Sequence, residues 1–130
     1  MTTTEAARHW AEVWTRAWLE ADVDAIARLY APDAVFYSHP FRERQAPREY
    51  LAWAFDDEGG VECRFGAPIV AGDRAAVDWW AVLESKKDGS LLSIAGTSLL
   101  RFDAAGLVVE QRDAWGEEQG RRELPDWASG

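Results

Sequence analysis

The stretch "SLLRFDAAGLVVEQRDAW", residues 98–115, decides the fold. Two runs in which apolar and polar residues alternate flank Asp103-Ala104-Ala105-Gly106, with Asp and Gly at the ends that a type I turn prefers. Alternation is the period of a half-buried strand, so the stretch reads as an antiparallel hairpin. Immediately upstream, "RAAVDWWAVLESKK" and "SLLSIAGTSLLRF" flank Asp88-Gly89, a two-residue hairpin signal. The C-terminal half is therefore a meander of long antiparallel strands. "VECRFGAPIVA" precedes it, and its Gly66 and Pro68 mark a bent or edge strand.

The N-terminal half has a helical period. Thr2 and Glu5 have the spacing of a capping box. Trp10, Trp14 and Trp18 then recur every four residues on one helix face. "DVDAIARLY" reads as a second helix, capped by Asp22 and ended by Pro32. "AVFYSH" is a short strand. "PREYLAWAF" is a third helix with Pro47 in its first turn, and it stops before Gly59-Gly60. Three helices with an early strand, followed by a meander, make an α+β domain with helices over one face of a sheet. Residues 1–130 read as one domain, with the polar stretch 116–130 as a tail pinned by Trp127.

Hairpin register predicts which side chains face inward. If Asp88-Gly89 is a two-residue loop, Trp79 opposes Ser98, Ala81 opposes Gly96, and Leu83 opposes Ile94. If the second turn loops only through 103–106, Phe102 opposes Leu107, Ser98 opposes Gln111, and Gly96 opposes Asp113. One face then collects Trp79, Ser98, Leu107, Val109, Gln111, Asp113 and Trp115. The other carries Asp78, Glu84, Arg101, Glu110 and Arg112, with Trp80, Val82 and Leu99 among them. The first face is more apolar and should meet the helices.

The composition narrows the possible functions. The net charge is −9, and no basic stripe is present to neutralise phosphates, which argues against nucleic acid and anionic membranes. No apolar run has transmembrane length, and the charged N-terminal segment shows no signal peptide, so a cytoplasmic location is expected. Cys63 is the one cysteine, alternates with Val61 and Phe65, and reads as a core residue. Two distant histidines make a weak metal site, so neither metal nor cofactor is expected. Eight tryptophans exceed what a small core needs and suggest an aromatic-walled cavity for a small apolar or aromatic ligand. The mixed outer face suits a homodimer.

"ADVDAIARLYAPDAVFYSHP", "GDRAAVDWWAV" and "SLLRFDAAGLVVEQRDAW", in this order, resemble the nuclear transport factor 2-like superfamily, above all its SnoaL-like and ketosteroid isomerase-like branches. The resemblance implies a cone, in which a strongly curved antiparallel sheet wraps three N-terminal helices around a deep pocket. Ketosteroid isomerases place a carboxylate base before a proline, where this chain has His39 before Pro40. Trp14 and Ser98 stand where their oxyanion-hole tyrosine and protonated acid would be, while Tyr30 matches a supporting tyrosine. SnoaL-like cyclases are similar in two respects. They show a histidine before a proline-containing loop, as His39 is here. They also have an acid/base aspartate seven residues after the turn glycine, as Asp113 stands after Gly106.

These readings make Asp113 and His39 the candidate catalytic residues. Trp14, Trp18, Tyr30, Trp53, Trp79, Ser98, Gln111 and Trp115 are candidate substrate-binding residues. An unpaired carboxylate among aromatic rings has a raised pKa, which a general base near neutral pH needs. The expected function is a cyclase, isomerase or hydratase acting on a small apolar carbonyl compound. His39 would donate to the oxyanion, helped by Trp14 or Tyr30. A non-catalytic hydrophobic-ligand binder is the alternative. An epoxide hydrolase-like enzyme, which would need Arg101 turned inward, is a third.

Overall fold

The structure is a computed structural model that describes residues 1–128. Helix α1 (Thr3–Glu20) starts at the expected capping box. The Thr2 side chain accepts from the Glu5 N–H, and the Glu5 carboxylate accepts from the Thr2 N–H. Its buried stripe includes Trp10, Trp14 and Ala17. Helix α2 (Val23–Ala27) is capped by Asp22 and ends before Arg28, so Pro32 does not terminate it. Pro32 lies inside strand β1 (Tyr30–Tyr37), at an irregularity between Tyr30 and Val35 where it omits no ladder bond. Helix α3 (Pro47–Asp57) begins with its proline and runs directly into β2 (Glu58–Phe65).

The remaining strands are β3 (Ile69–Ala71), β4 (Arg74–Ser85), β5 (Leu91–Phe102) and β6 (Val108–Gln119). They form a six-stranded sheet in the order β1-β6-β5-β4-β2, with β3 also paired to β4. Gly66 and Pro68 thus split one sequence run into two short strands on the same partner. The meander is antiparallel, as expected, but β1 joins β6 in parallel and makes the sheet mixed. The sheet curls without closing around the helices. The main core lies between α1, α2, β1 and the inner sheet face, with Trp10, Ile26, Phe36, Leu51, Val77 and Leu100 at its centre.

Both hairpin registers differ from the expected ones, and both by two residues. Trp79 pairs with Gly96, Ala81 with Ile94, and Leu83 with Leu92. A two-residue type I′ turn needs positive φ at both central positions. Here Gly89 has φ 72 while Asp88 is not left-handed, and the loop widens to residues 86–89 under a Ser85 N–H to Ser90 O bond of 2.9 Å. In the second hairpin Phe102 pairs with Val108, one residue late, and a bulge at Val109 adds one more. Ser98 therefore faces Asp113, and Gly96 faces Trp115. A slip of two preserves the face of every side chain, so Trp79, Ser98, Gln111 and Asp113 are still inward and buried. The exceptions are Leu107 and Val109, expected inside: Val108 is fully buried and they are only partly so.

Strand β6 runs to Gln119, beyond residue 116 where the tail was expected to start. From Gly120 (φ 87) the chain crosses the outer sheet face. Glu62, Val82 and Ser93 form one row across β2, β4 and β5. Arg121 pairs with Glu62, while Ser93 Oγ donates to Gly120 O (2.8 Å) and accepts from the Arg122 N–H (2.7 Å). Those bonds hold the start of the tail, and the turn that contains Trp127, itself 46% exposed, lies against β4. Under this strap Val82 and Trp80, two of the apolar side chains of the outer face, are buried within the chain itself. Truncation after Gln119 should uncover both side chains, destabilise the domain by about 2 kcal/mol and promote self-association. Sedimentation velocity of the truncated chain across a concentration series checks this.

Candidate functional site

A cavity of about 130 Å³ opens between α1, α3 and the inner sheet face. Trp14, Trp18, Trp53, Trp79, Ser98, Gln111, Asp113 and Trp115 all line it. The sequence-expected substrate set is thus brought together, with Tyr30 standing one layer behind. His39 does not line the cavity. From residue 34 onward along β1 and just beyond it the buried positions are Ala34, Phe36 and Ser38, so Tyr37 and His39 share the opposite parity. His39 Nδ1 accepts from the Phe41 N–H (3.2 Å), and its ring meets Trp115 edge-on at 5.0 Å. It touches the cavity wall from behind.

Asp113 sits on β6 at the cavity wall and is 8% exposed. Its partners are all neutral. Ser98 Oγ donates to Oδ1 at 2.6 Å, and Gln111 Nε2 donates to Oδ1 at 3.0 Å and to Oδ2 at 3.3 Å. Trp79 Nε1 in turn donates to Ser98 Oγ (2.9 Å). Gln111 Oε1 accepts from the Tyr30 hydroxyl, and that hydroxyl accepts from Trp10 Nε1 and Trp14 Nε1, both at 3.2 Å. This chain of donors assigns each group. The Tyr30 proton and the Trp14 N–H are both used within the protein, so neither is the free oxyanion donor that was expected.

Neither Arg101 nor Arg112 pairs with Asp113. Arg101 and Arg112 lie on the outer face beside Glu110 (3.7 and 3.8 Å), so Arg101 does not supply the inward charge an epoxide hydrolase-like site would need. Burial without a cation pushes the Asp113 pKa up to about 6, against the opposing pull of the Ser98 and Gln111 hydrogen bonds. Oδ1 holds the stronger bonds, which leaves Oδ2 the freer oxygen.

Several cavity residues were missed, among them Tyr50, Ala54 and Asp57. With the expected Trp53 they form one helical stripe of α3 at i, i+3, i+4 and i+7, while Leu51 and Phe55 on the neighbouring stripe are buried. That spacing was visible in "PREYLAWAF". Arg42 lies in the loop after β1 and has no such signal. Its guanidinium stands 5.0 Å from the Trp53 ring and 5.2 Å from the Trp115 ring, and it donates to Ser38 Oγ (3.1 Å). Glu58 and Glu117 complete an acidic rim, and burial first, then Asp57 and Glu117, raise the Glu58 pKa.

Cys63 is buried, donates to Thr15 O (3.3 Å), and its pKa is raised to about 11 by burial. Among the described residues no group of three or more His, Cys, Asp or Glu is placed to hold a metal ion. Among the described residues no helix is long and apolar enough to cross a membrane.

A curled mixed sheet around three helices, with a buried carboxylate in a cavity between them, defines a nuclear transport factor 2-like domain. The chain belongs to the SnoaL-like domain family, whose profile matches residues 8–111. Similar solved structures include the epoxide hydrolase/cyclase-like enzyme SalBIII of pyran ring formation in salinomycin. It has a TM-score of 0.73 and 20% identity over 86% of this chain and 91% of that one. A candidate SnoaL-like polyketide cyclase from Mesorhizobium loti has a TM-score of 0.71 and 21% identity over 87% and 98%. A ketosteroid isomerase-like protein from Catenulispora acidiphila, in complex with trimethylamine, has a TM-score of 0.69 and 20% identity over 86% and 85%. At such identities the likeness concerns the fold. None of the curated proteins matches the chain in sequence.

Proposed function

We propose that the protein is an acid–base enzyme, of cyclase or isomerase type, acting on a small, mostly apolar carbonyl compound. The observation that carries this reading is Asp113: a buried carboxylate on an aromatic cavity wall, held by neutral donors alone. Asp113 Oδ2 takes a proton from the carbon next to the carbonyl, and the electron pair moves to the carbonyl oxygen. The neutral acid so formed is the state that burial favours. It returns the proton at another carbon in an isomerisation, or to an alkoxide oxygen after the enolate carbon has closed a ring onto a second carbonyl. Trp79 and Gln111 orient the base through their hydrogen bonds. His39 is not assigned a proton-transfer step, because Trp115 lies between its ring and the cavity.

The test uses cyclic aryl ketones as probes in heavy water. The parent should exchange their α-protons, with a rate that rises through a pH of about 6 as Asp113 ionises. Asp113→Asn should lower that rate by roughly 10²–10⁴-fold while tryptophan fluorescence shows unchanged ketone affinity. Bound ketones without exchange in the parent would instead make the domain a ligand-binding module.

A further inference from the structure

We propose that the Tyr50 hydroxyl is the donor that holds the substrate's carbonyl oxygen across the cavity from Asp113. The proposal rests on the acid–base reading above and adds the group that receives the developing negative charge.

Tyr50 begins the cavity-facing stripe of α3 and is held by its ring. It stacks on Phe36 at 4.4 Å with 19° between planes, and leans on Trp53 at 6.1 Å. Its hydroxyl has no hydrogen-bond partner among the described residues. Every fully enclosed side-chain polar atom in those residues is satisfied, so the Tyr50 oxygen still reaches open space, and the space Tyr50 lines is the cavity. Most other donors around the cavity are spent; the Arg42 guanidinium, which gives one N–H to Ser38 Oγ, sits against the Trp53 and Trp115 rings. Trp10 and Trp14 serve Tyr30, Trp79 serves Ser98, Ser98 and Gln111 serve Asp113, and Trp115 Nε1 serves Ser38 O at 2.6 Å. Trp18 packs with the apolar cluster of Trp79, Leu83 and Ile94, and Trp53 is 53% exposed at the mouth.

Tyr50 is also close enough to the catalytic carboxylate to feel it. Burial first, then the Asp113 charge, raise its pKa, against the pull of Arg42. The phenol therefore stays protonated while Asp113 is ionised. A neutral O–H is what a developing enolate oxygen needs from a fixed donor. When Asp113 takes the α-proton, the negative charge leaves the carboxylate and appears on the oxygen that Tyr50 holds.

The experiment compares 2-naphthol with naphthalene as ligands, titrated by tryptophan fluorescence into the parent, Tyr50→Phe and Asp113→Asn. Asp113→Asn stands in for the protonated base. Tyr50→Phe should weaken 2-naphthol about 10-fold or more, leave naphthalene unchanged, and lower ketone α-proton exchange by about 10²-fold. Unchanged naphthol affinity overturns the proposal. So does equal weakening of both ligands, which would assign Tyr50 to packing. If Tyr50→Phe does not fold, fluorotyrosine placed at position 50 serves instead. Its more acidic hydroxyl should tighten naphthol over naphthalene, and no change overturns the proposal. Asp113→Asn is read separately. It should tighten naphthol, and if it does not while Tyr50→Phe still loses affinity, Tyr50 stands and the role given to Asp113 falls.

Discussion

At about pH 8, Asp113→Asn is expected to be more stable than the parent by up to about 3 kcal/mol. The folded pKa of about 6 lies above the ordinary aspartate value of 3.8. The folded state therefore binds the proton more tightly, and stability falls as pH rises from about 4 through about 6. Above that window the ionised carboxylate carries its full burial cost; below it, both states are protonated and the cost is gone. Asparagine keeps an oxygen to accept from Ser98 and Gln111 while removing the charge. Urea denaturation of both proteins from about pH 4 to 8 should show curves that converge in acid and separate towards pH 8. Parallel curves would mean that Asp113 is not shifted upward. A variant that is more stable and less active is the expected trade at a site built around a costly charge.

Gly96→Ala is expected to have an effect at least as large, in the opposite direction: a loss of about 3 kcal/mol or more. A Cβ on Gly96 would stand 2.3 Å from Ala114 O and 2.5 Å from Trp115 Cβ. The first is backbone of the paired strand and cannot swing aside, so β6 must shift. That movement would displace Trp115 and Asp113 together, since both follow the same strand. Denaturant midpoint and the Asp113 titration should change in step. A variant with parent-like stability and an unshifted Asp113 would show that β6 tolerates the displacement. The expected register set Gly96 opposite Asp113. Gly96 instead permits a close approach of strands opposite Trp115.

Much of the fold was legible because its signals are local. The Thr2/Glu5 box, the Asp22 cap, Pro47 and the three tryptophans of α1 act within a turn or two of themselves, and each lies where periodicity places it. The inward face of the meander was also legible. Strand side chains alternate with period two, so the two-residue register errors left Asp113, Gln111 and Ser98 on the cavity side. Pairing partners were not legible, because loop width depends on φ at Asp88 and on a bulge at Val109.

The site divides the same way. Alternation in "EQRDAW" was enough to point Gln111, Asp113 and Trp115 inward, and the helical period of "REYLAWAF" carries the stripe of Tyr50 and Trp53. What the tertiary structure alone decided is which hydrogens are spent. Tyr30 and Gln111 lie far apart in sequence, yet their bond, with the two indoles behind it, removes Tyr30 and Trp14 as donors to a ligand. The same holds for His39. Its parity in β1 depends on which face of that strand the helices bury, and Phe36 and Ser38 took the inner one. Arg42 reaches the cavity only because a loop folds over Trp53 and Trp115, and the strap from Gly120 meets Glu62 and Ser93 only because the sheet sets those residues in one row. A sequence determines periodicity, and with it faces and caps; hydrogen-bond partners and cavity membership depend on residues far away in the chain, which only packing brings within reach.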